Sequence, residues 1–216
     1  MNDERHNEDR RTEGERFWEA HYQKHERVWS GEANAVLVDV VASLPPGSAL
    51  DLGCAEGGDA LWLAQRGWQV TAVDVSATAL HRAAAQAAAV GVAGRIDFQQ
   101  HDLAHTFPSG SFDLVSAQYL QSPVAFPRAR VLQRAASAVA GGGLLLVVEH
   151  ASVAPWSWNQ NQHQRFPTPE EVLATLALDR EQWDIVLLGR PTRQAVGPNG
   201  ATAQVADNLI AIRRHG

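Results

Sequence analysis

One stretch constrains the chain more than any other: Ser48-Ala-Leu-Asp-Leu-Gly-Cys-Ala-Glu-Gly-Gly-Asp59, followed by Val70-Thr-Ala-Val-Asp-Val-Ser76. Ala49 to Leu52 reads as a buried strand that runs into a glycine-rich turn at Gly53, Gly57 and Gly58. A helix then starts near Asp59, and a second buried strand ends on a carboxylate, Asp74. Strand, glycine turn, helix, strand and acid is the layout of a nucleotide-binding βαβ unit. Glycine lets the backbone take positive φ and approach a ligand with no Cβ in the way. A carboxylate about twenty residues further on can accept two hydrogen bonds from ribose hydroxyls.

The dinucleotide fingerprint Gly-x-Gly-x-x-Gly fails here, because its middle position is Ala55. An acid stands two residues before the first glycine instead. Asp51-Leu-Gly53-Cys-Ala55-Glu-Gly57 resembles motif I of the class I S-adenosylmethionine-dependent methyltransferases, Asp-x-Gly-x-Gly-x-Gly. Ala55 replaces the central glycine in this register too, which a methyl tolerates if φ stays negative. The acid has a physical sense. A cofactor with an α-amino group and a sulfonium suits an acidic loop, whereas a pyrophosphate wants unopposed N–H groups at a helix N-terminus.

That resemblance implies a fold and a set of contacts. The fold is a single Rossmann-like, doubly wound α/β sheet of seven strands, mostly parallel with a C-terminal antiparallel hairpin. Asp51, Gly53, Cys54, Ala55 and Gly57 would form the cofactor loop. Asp74 and Val75 would meet the ribose, and Asp102 with Leu103 the adenine. The cofactor would be S-adenosylmethionine, leaving as S-adenosylhomocysteine, and the reaction an in-line displacement by an acceptor lone pair. Phe17-Trp-x3-Tyr22, Val28-Trp-Ser-Gly31 and Asn34 are also similar to the N-terminal region of small bacterial tellurite-resistance and thiopurine methyltransferases. By that similarity Trp18, Tyr22 and Trp29 belong to a lid over the cofactor, with packing onto the sheet as the alternative.

The remaining elements follow the chain. Residues 1–12 are polar and charged, with almost nothing to bury, and read as a disordered arm before a domain over 13–216. Helices are predicted over Glu13–Glu26 and Ala35–Leu44, which with the intervening loop make a cap over 13–46. Further helices are predicted over Thr78–Val90 and Arg128–Val139, the last stopped by Gly141-Gly-Gly143. Strands are predicted at Ile96–Gln100, Phe112–Ala117 and Leu144–Glu149, the last apolar throughout, as a central parallel strand should be. Thr168-Pro-Glu-Glu171 is an N-cap, a proline at the first helical position and two acids. Trp183–Leu188 and Ala203–Ile212 are two strands joined through Gly197-Pro-Asn-Gly200. Their pairing beside the fifth strand is a methyltransferase feature that nicotinamide dehydrogenases lack.

Ligands of open α/β sheets bind along the carboxyl edge of the strands. Gln118, Tyr119 and Gln121 follow the fourth strand there, giving Gln118 a cofactor role and Tyr119 an acceptor role. Glu149 and His150 end the fifth strand, and His150 is the candidate general base. Residues 151–168 have no clean period. Trp156 and Trp158 make this a candidate acceptor loop, or else a linker. His101 and His163 carry no assignment, and no metal site is expected.

Composition bounds partners. The net charge of −6 over 216 residues gives no basic field for nucleic acid. No apolar run approaches the roughly 18 residues of a membrane span, and no signal peptide is evident. The single cysteine, Cys54, leaves no intrachain disulfide. The expectation is a cytoplasmic monomer or homodimer that methylates a small molecule at sulfur (or another chalcogen), oxygen or nitrogen. Two alternatives stay open: a protein that binds S-adenosylmethionine without turnover, and a nicotinamide-dependent oxidoreductase.

Overall fold

A computed structural model describes residues 11–157 and 165–216. Its strands are β1 (Ser48–Leu52), β2 (Gln69–Asp74), β3 (Ile96–Gln100), β4 (Phe112–Gln118), β5 (Val139–His150), β6 (Trp183–Gly189), β7 (Thr192–Val196) and β8 (Thr202–Arg214). The helices are α1 (Glu13–Gln23), α2 (Ala35–Val41), α3 (Gly58–Gln65), α4 (Ala77–Ala89), α5 (Arg128–Ser137) and α6 (Pro169–Thr175). The sheet runs β3-β2-β1-β4-β5-β8-β6, with β7 paired to β8 off this path. β3, β2, β1, β4 and β5 are parallel, and β8 inserts antiparallel between β5 and β6.

Strand periodicity sorts the core into two layers. Ala49, Leu144, Leu146 and Val148 face one side, where they meet Leu37 and Val41 of α2, Leu63 of α3 and Leu80 of α4. Leu50, Leu52, Leu145 and Val147 face the other, against Val131 and Leu132 of α5 and Val172 of α6. A period of two along each strand feeds both layers, so the central strands are apolar on both faces. Leu50, Leu145 and Leu146 have no exposed surface, and burying each side chain stabilises the fold by about 2 kcal/mol.

Local chemistry sets the ends. Thr168 and Glu171 form a reciprocal capping box on α6, with Pro169 opening the helix. Ser76 Oγ accepts from Ala79 N–H at 3.1 Å and caps α4.

Three expectations need correction. Gly141 to Gly143 lie inside β5, and α5 has already ended at Ser137. A Cβ on Gly143 would sit 2.9 Å from the Phe112 carbonyl oxygen, so the glycines let β5 pass close against β4. The C-terminal hairpin has a third strand. β7 is a half-exposed strand of alternating burial that pairs with the first half of β8, and the Gly197–Gly200 turn joins these two. The sheet thus has eight strands rather than seven. Finally, α1 and α2 are each three residues shorter than predicted, ending at Gln23 and Val41.

Candidate functional site

The glycine loop leaves β1 and turns back over β2. The N–H groups of Gly53 and Cys54 both donate to the Val73 carbonyl at 2.8 Å. Gly53 and Gly57 take φ of +73° and +89°. Ala55 also takes positive φ, +51°, so the condition under which its methyl is tolerated without strain, a negative φ, is not met. An L-residue held there is strained by about 1–2 kcal/mol. What compensates is visible: Ala55 N–H donates to Asp74 Oδ2 at 2.9 Å.

Asp74 closes the loop. Its other oxygen accepts from Ser76 N–H at 2.9 Å. Each carboxylate oxygen keeps a free lone pair after these bonds. Burial pushes its carboxyl up to about 6 against the bonds that favour the charged form. Val75 follows it, half-buried, with its carbonyl taken by Gln100.

Asp51 is 2% exposed, and its Oδ2 has no hydrogen-bond donor. Burial raises its pKa, and repulsion from Asp59 and Asp74 adds to the rise. On the adjoining strand β4, Ser116 lies opposite Asp51, and Gln118, two residues on, shares its face. Gln118 Nε2 donates to Ser116 Oγ at 3.1 Å, while its Oε1 is buried with no partner. Two adjacent strands therefore present orphaned acceptors at the carboxyl edge. Cys54 is buried, and burial pushes its thiol up, so it is inert.

The N-terminal segment is pinned over this loop by residues that sequence reasoning missed. Glu56, 3% exposed, accepts from the N–H groups of Val28 and Trp29 at 3.0 Å and pairs with Arg82 at 2.9 Å. Arg82 also donates to the carbonyls of Tyr22 and His25. Asp59 accepts from Asn34 N–H at 2.7 Å and Nδ2 at 2.8 Å. Glu19 of α1 accepts from the Ser76 and Thr78 hydroxyls at the start of α4. A Cβ on Gly58 would lie 2.6 Å from the Glu32 carbonyl oxygen, so the cap sits directly on this glycine. Trp29 is 52% exposed, and its indole N–H donates to the buried Tyr22 hydroxyl at 3.0 Å. The one available signal was Glu56 itself, an acid inside a glycine loop.

The other candidates separate. Asp102 caps its own turn, accepting from Ala104 N–H at 3.0 Å, and its second oxygen is 3.8 Å from His105 Nε2. Leu103 is buried beneath it in the second core layer. His101 lies between Gln99 and Thr106. Glu149 is buried and paired with Arg128, whose pKa burial lowers to about 10. Trp156 packs on Gly197, where a Cβ would overlap its ring. Trp158 and His163 lie outside the described residues. Tyr119 and His150 do come together, their rings stacked at 4.3 Å. A hollow of about 340 Å³ opens at the opposite, amino edge of the sheet, lined by Ser48, Gln69 and Asp97 among others. It is far from the glycine loop.

Residues 49–143, which contain the loop, Asp74 and Asp102, match the family model described as a methyltransferase domain. Residues 49–143 carry a methyltransferase domain. Over 51 residues the chain is 47% identical to ribosomal RNA small subunit methyltransferase C of Alcanivorax borkumensis. That match spans 24% of this chain and only 16% of the relative. Among solved structures, one reported for the conversion of a disulfide bond into a thioacetal group during echinomycin biosynthesis has a TM-score of 0.70 at 23% identity. The similarity covers 92% of this chain and 91% of that one. TehB from Haemophilus influenzae has a TM-score of 0.66 at 17% identity, over 85% of this chain and 62% of its own. At these identities the two structures speak for the fold.

The methyltransferase domain's residues fit its cofactor, S-adenosylmethionine. The orphaned Asp51 Oδ2 and Gln118 Oε1 suit a cationic, hydrogen-donating amino acid end. The spare lone pairs of Asp74 suit a ribose diol.

Proposed function

We propose that the chain transfers a methyl group to a small-molecule acceptor. The observation that carries this reading is the buried, donorless carboxylate of Asp51 beside the glycine loop. A buried carboxylate without a partner is costly, and a cationic ligand removes the cost. When bound, S-adenosylmethionine supplies an electrophilic methyl on a sulfonium.

The chain's own residues do the rest. Gly53, Cys54, Ala55 and Gly57 shape the backbone around the amino acid end, with Asp51 and Gln118 as acceptors. Asp74 holds the ribose with Val75 beside it, and Asp102 and Leu103 hold the adenine. Trp29 covers the site from a lid that Glu56 and Asp59 fasten. Tyr119 and Trp156 face the acceptor, and His150 serves as its base. Alignment of acceptor and methyl supplies most of the rate enhancement.

A small acceptor fits the net charge of −6, since an RNA backbone wants compensating cations. The echinomycin neighbour, whose chemistry is at sulfur, favours a soft acceptor. The Alcanivorax relative favours ribosomal RNA instead, on a quarter of the chain. No helix among the described residues is long and apolar enough to cross a membrane. A cytoplasmic monomer or homodimer is the corresponding assignment.

Release of S-adenosylhomocysteine, measured across thiol, phenol, amine and ribosomal RNA acceptors, tests the reading. Turnover on a small acceptor supports it. Turnover on RNA alone replaces the acceptor class. Cofactor binding with no turnover anywhere makes the chain a sensor of S-adenosylmethionine.

A further inference from the structure

Four polar side chains, from β5, β7, β8 and the residue that follows β4, meet at the carboxyl edge near the end of β5, two strands over from β1 and so about 10 Å along the sheet. Asp207 of β8 lies opposite His150 of β5 in the antiparallel ladder. It is 1% exposed. Its Oδ2 accepts from the Tyr119 hydroxyl at 2.8 Å and from Arg193 Nε at 2.5 Å. Its Oδ1 has no hydrogen-bond partner among the described residues, and His150 Nδ1 lies 3.7 Å from it.

The same partners fix the imidazole. The Tyr119 ring stacks on it at 4.3 Å with 27° between planes. Tyr119 is itself held at φ +52°, a strained conformation of the kind that clusters at functional sites. Its N–H donates to the Val148 carbonyl at 2.7 Å, which ties the strained residue to β5. Arg193 lies 5.7 Å from the centre of the Tyr119 ring. Gln121 Oε1 takes the His150 backbone N–H at 3.3 Å. Burial alone would raise the Asp207 carboxyl, but the neighbouring His150 ring and the bonds from Arg193 and Tyr119 outweigh it and hold the group below its usual range. Asp207 is therefore ionised at neutral pH, while the His150 side chain is half-exposed on the site side.

We infer that Asp207 is a positioning residue that makes His150 the general base of the acceptor subsite, and that the acceptor carries a proton on its nucleophilic atom, as a hydroxyl or thiol does. This rests on the methyl-transfer reading. The carboxylate draws the imidazole proton to Nδ1 and leaves the Nε2 lone pair for the acceptor. His150 Nε2 takes the proton of the acceptor X–H while the X lone pair forms the bond to the methyl carbon. The S–C electron pair stays on sulfur, giving neutral S-adenosylhomocysteine. The positive charge lost by the sulfonium ends on the imidazolium, beside Asp207. Tyr119 and Arg193 keep Asp207 from turning away.

Nitrogen-15 NMR of the histidine rings in the full chain tests this without any acceptor. Neutral His150 is expected to be mainly the Nδ1–H tautomer, and in Asp207→Asn to revert to the Nε2–H form that a free histidine side chain prefers. Native His150 found mainly as Nε2–H overturns the inference, as does turnover of dimethyl sulfide with neither thiophenol nor phenol accepted. Calorimetry with S-adenosylhomocysteine separates the two claims. Asp207→Asn is expected to bind within twofold of the native chain. Failure of the native chain to bind sinks the methyl-transfer reading, whereas native His150 found mainly as Nε2–H, with normal binding, sinks only the role of Asp207.

Discussion

Ala55 N–H donates to Asp74 Oδ2 at 2.9 Å while Ala55 itself sits at φ +51°. One hydrogen bond holds a strained alanine where a glycine would rest without strain, and couples the loop's shape to the residue assigned to the ribose.

Ala55→Gly is therefore expected to stabilise the fold by about 1 kcal/mol, because it removes the Cβ clash of the left-handed region. The gain is the balance of relieved strain against a more flexible unfolded chain. Urea unfolding measures it as a higher midpoint at unchanged slope. A lower midpoint contradicts it.

The Asp74 carboxyl, pushed up to about 6 from an ordinary 3.8, gives a signed pH dependence. Between these values the folded state binds more protons than the unfolded one. The stabilising contribution of Asp74 is complete below about pH 4 and disappears as pH rises through 6. Comparison with Asp74→Asn isolates it: the native chain loses up to about 3 kcal/mol relative to the variant between pH 4 and 7. Ligand binding runs the other way. A charged Asp74 accepts ribose hydroxyls, so affinity for S-adenosylhomocysteine in the native chain is expected to fall as pH drops below 6. Calorimetry across pH 5 to 8 measures both the fall and its absence in Asp74→Asn.

The elements legible in the sequence were those whose signal is local. Leu144 to Val148 announce a central strand by being apolar at every position. Asp51, the glycines and Asp74 lie within one βαβ unit, and Thr168-Pro169 marks a helix start. The contacts that complete the site are long-range. Glu56 meets Val28 and Arg82 across stretches of chain that carry no shared pattern, and His150 meets Asp207 only because β8 inserts beside β5. β7 was missed because its alternating, half-exposed residues resemble a loop. The strain at Ala55 was not legible because nothing in its neighbours reveals the sign of φ.

Arg82→Ala tests the lid. It leaves Glu56, 3% exposed, without its cation. Breaking a buried pair from one side costs about 3 kcal/mol, and the carbonyls of Tyr22 and His25 lose their donor as well. Hydrogen exchange is expected to speed up at Val28 and Trp29, whose N–H groups rest on Glu56, while strands β1 and β4 stay protected. Acceleration confined to β1 and β4, with Val28 and Trp29 unaffected, contradicts the fastening role.

The cofactor assignment rests most on Asp51 and Asp74, and calorimetric titration with S-adenosylhomocysteine addresses it most directly. The native chain is expected to bind at micromolar concentration. Asp74→Ala is expected to bind at least tenfold more weakly, a loss of about 1.4 kcal/mol or more. No heat of binding from the native chain, or equal affinity in the variant, would contradict the assignment.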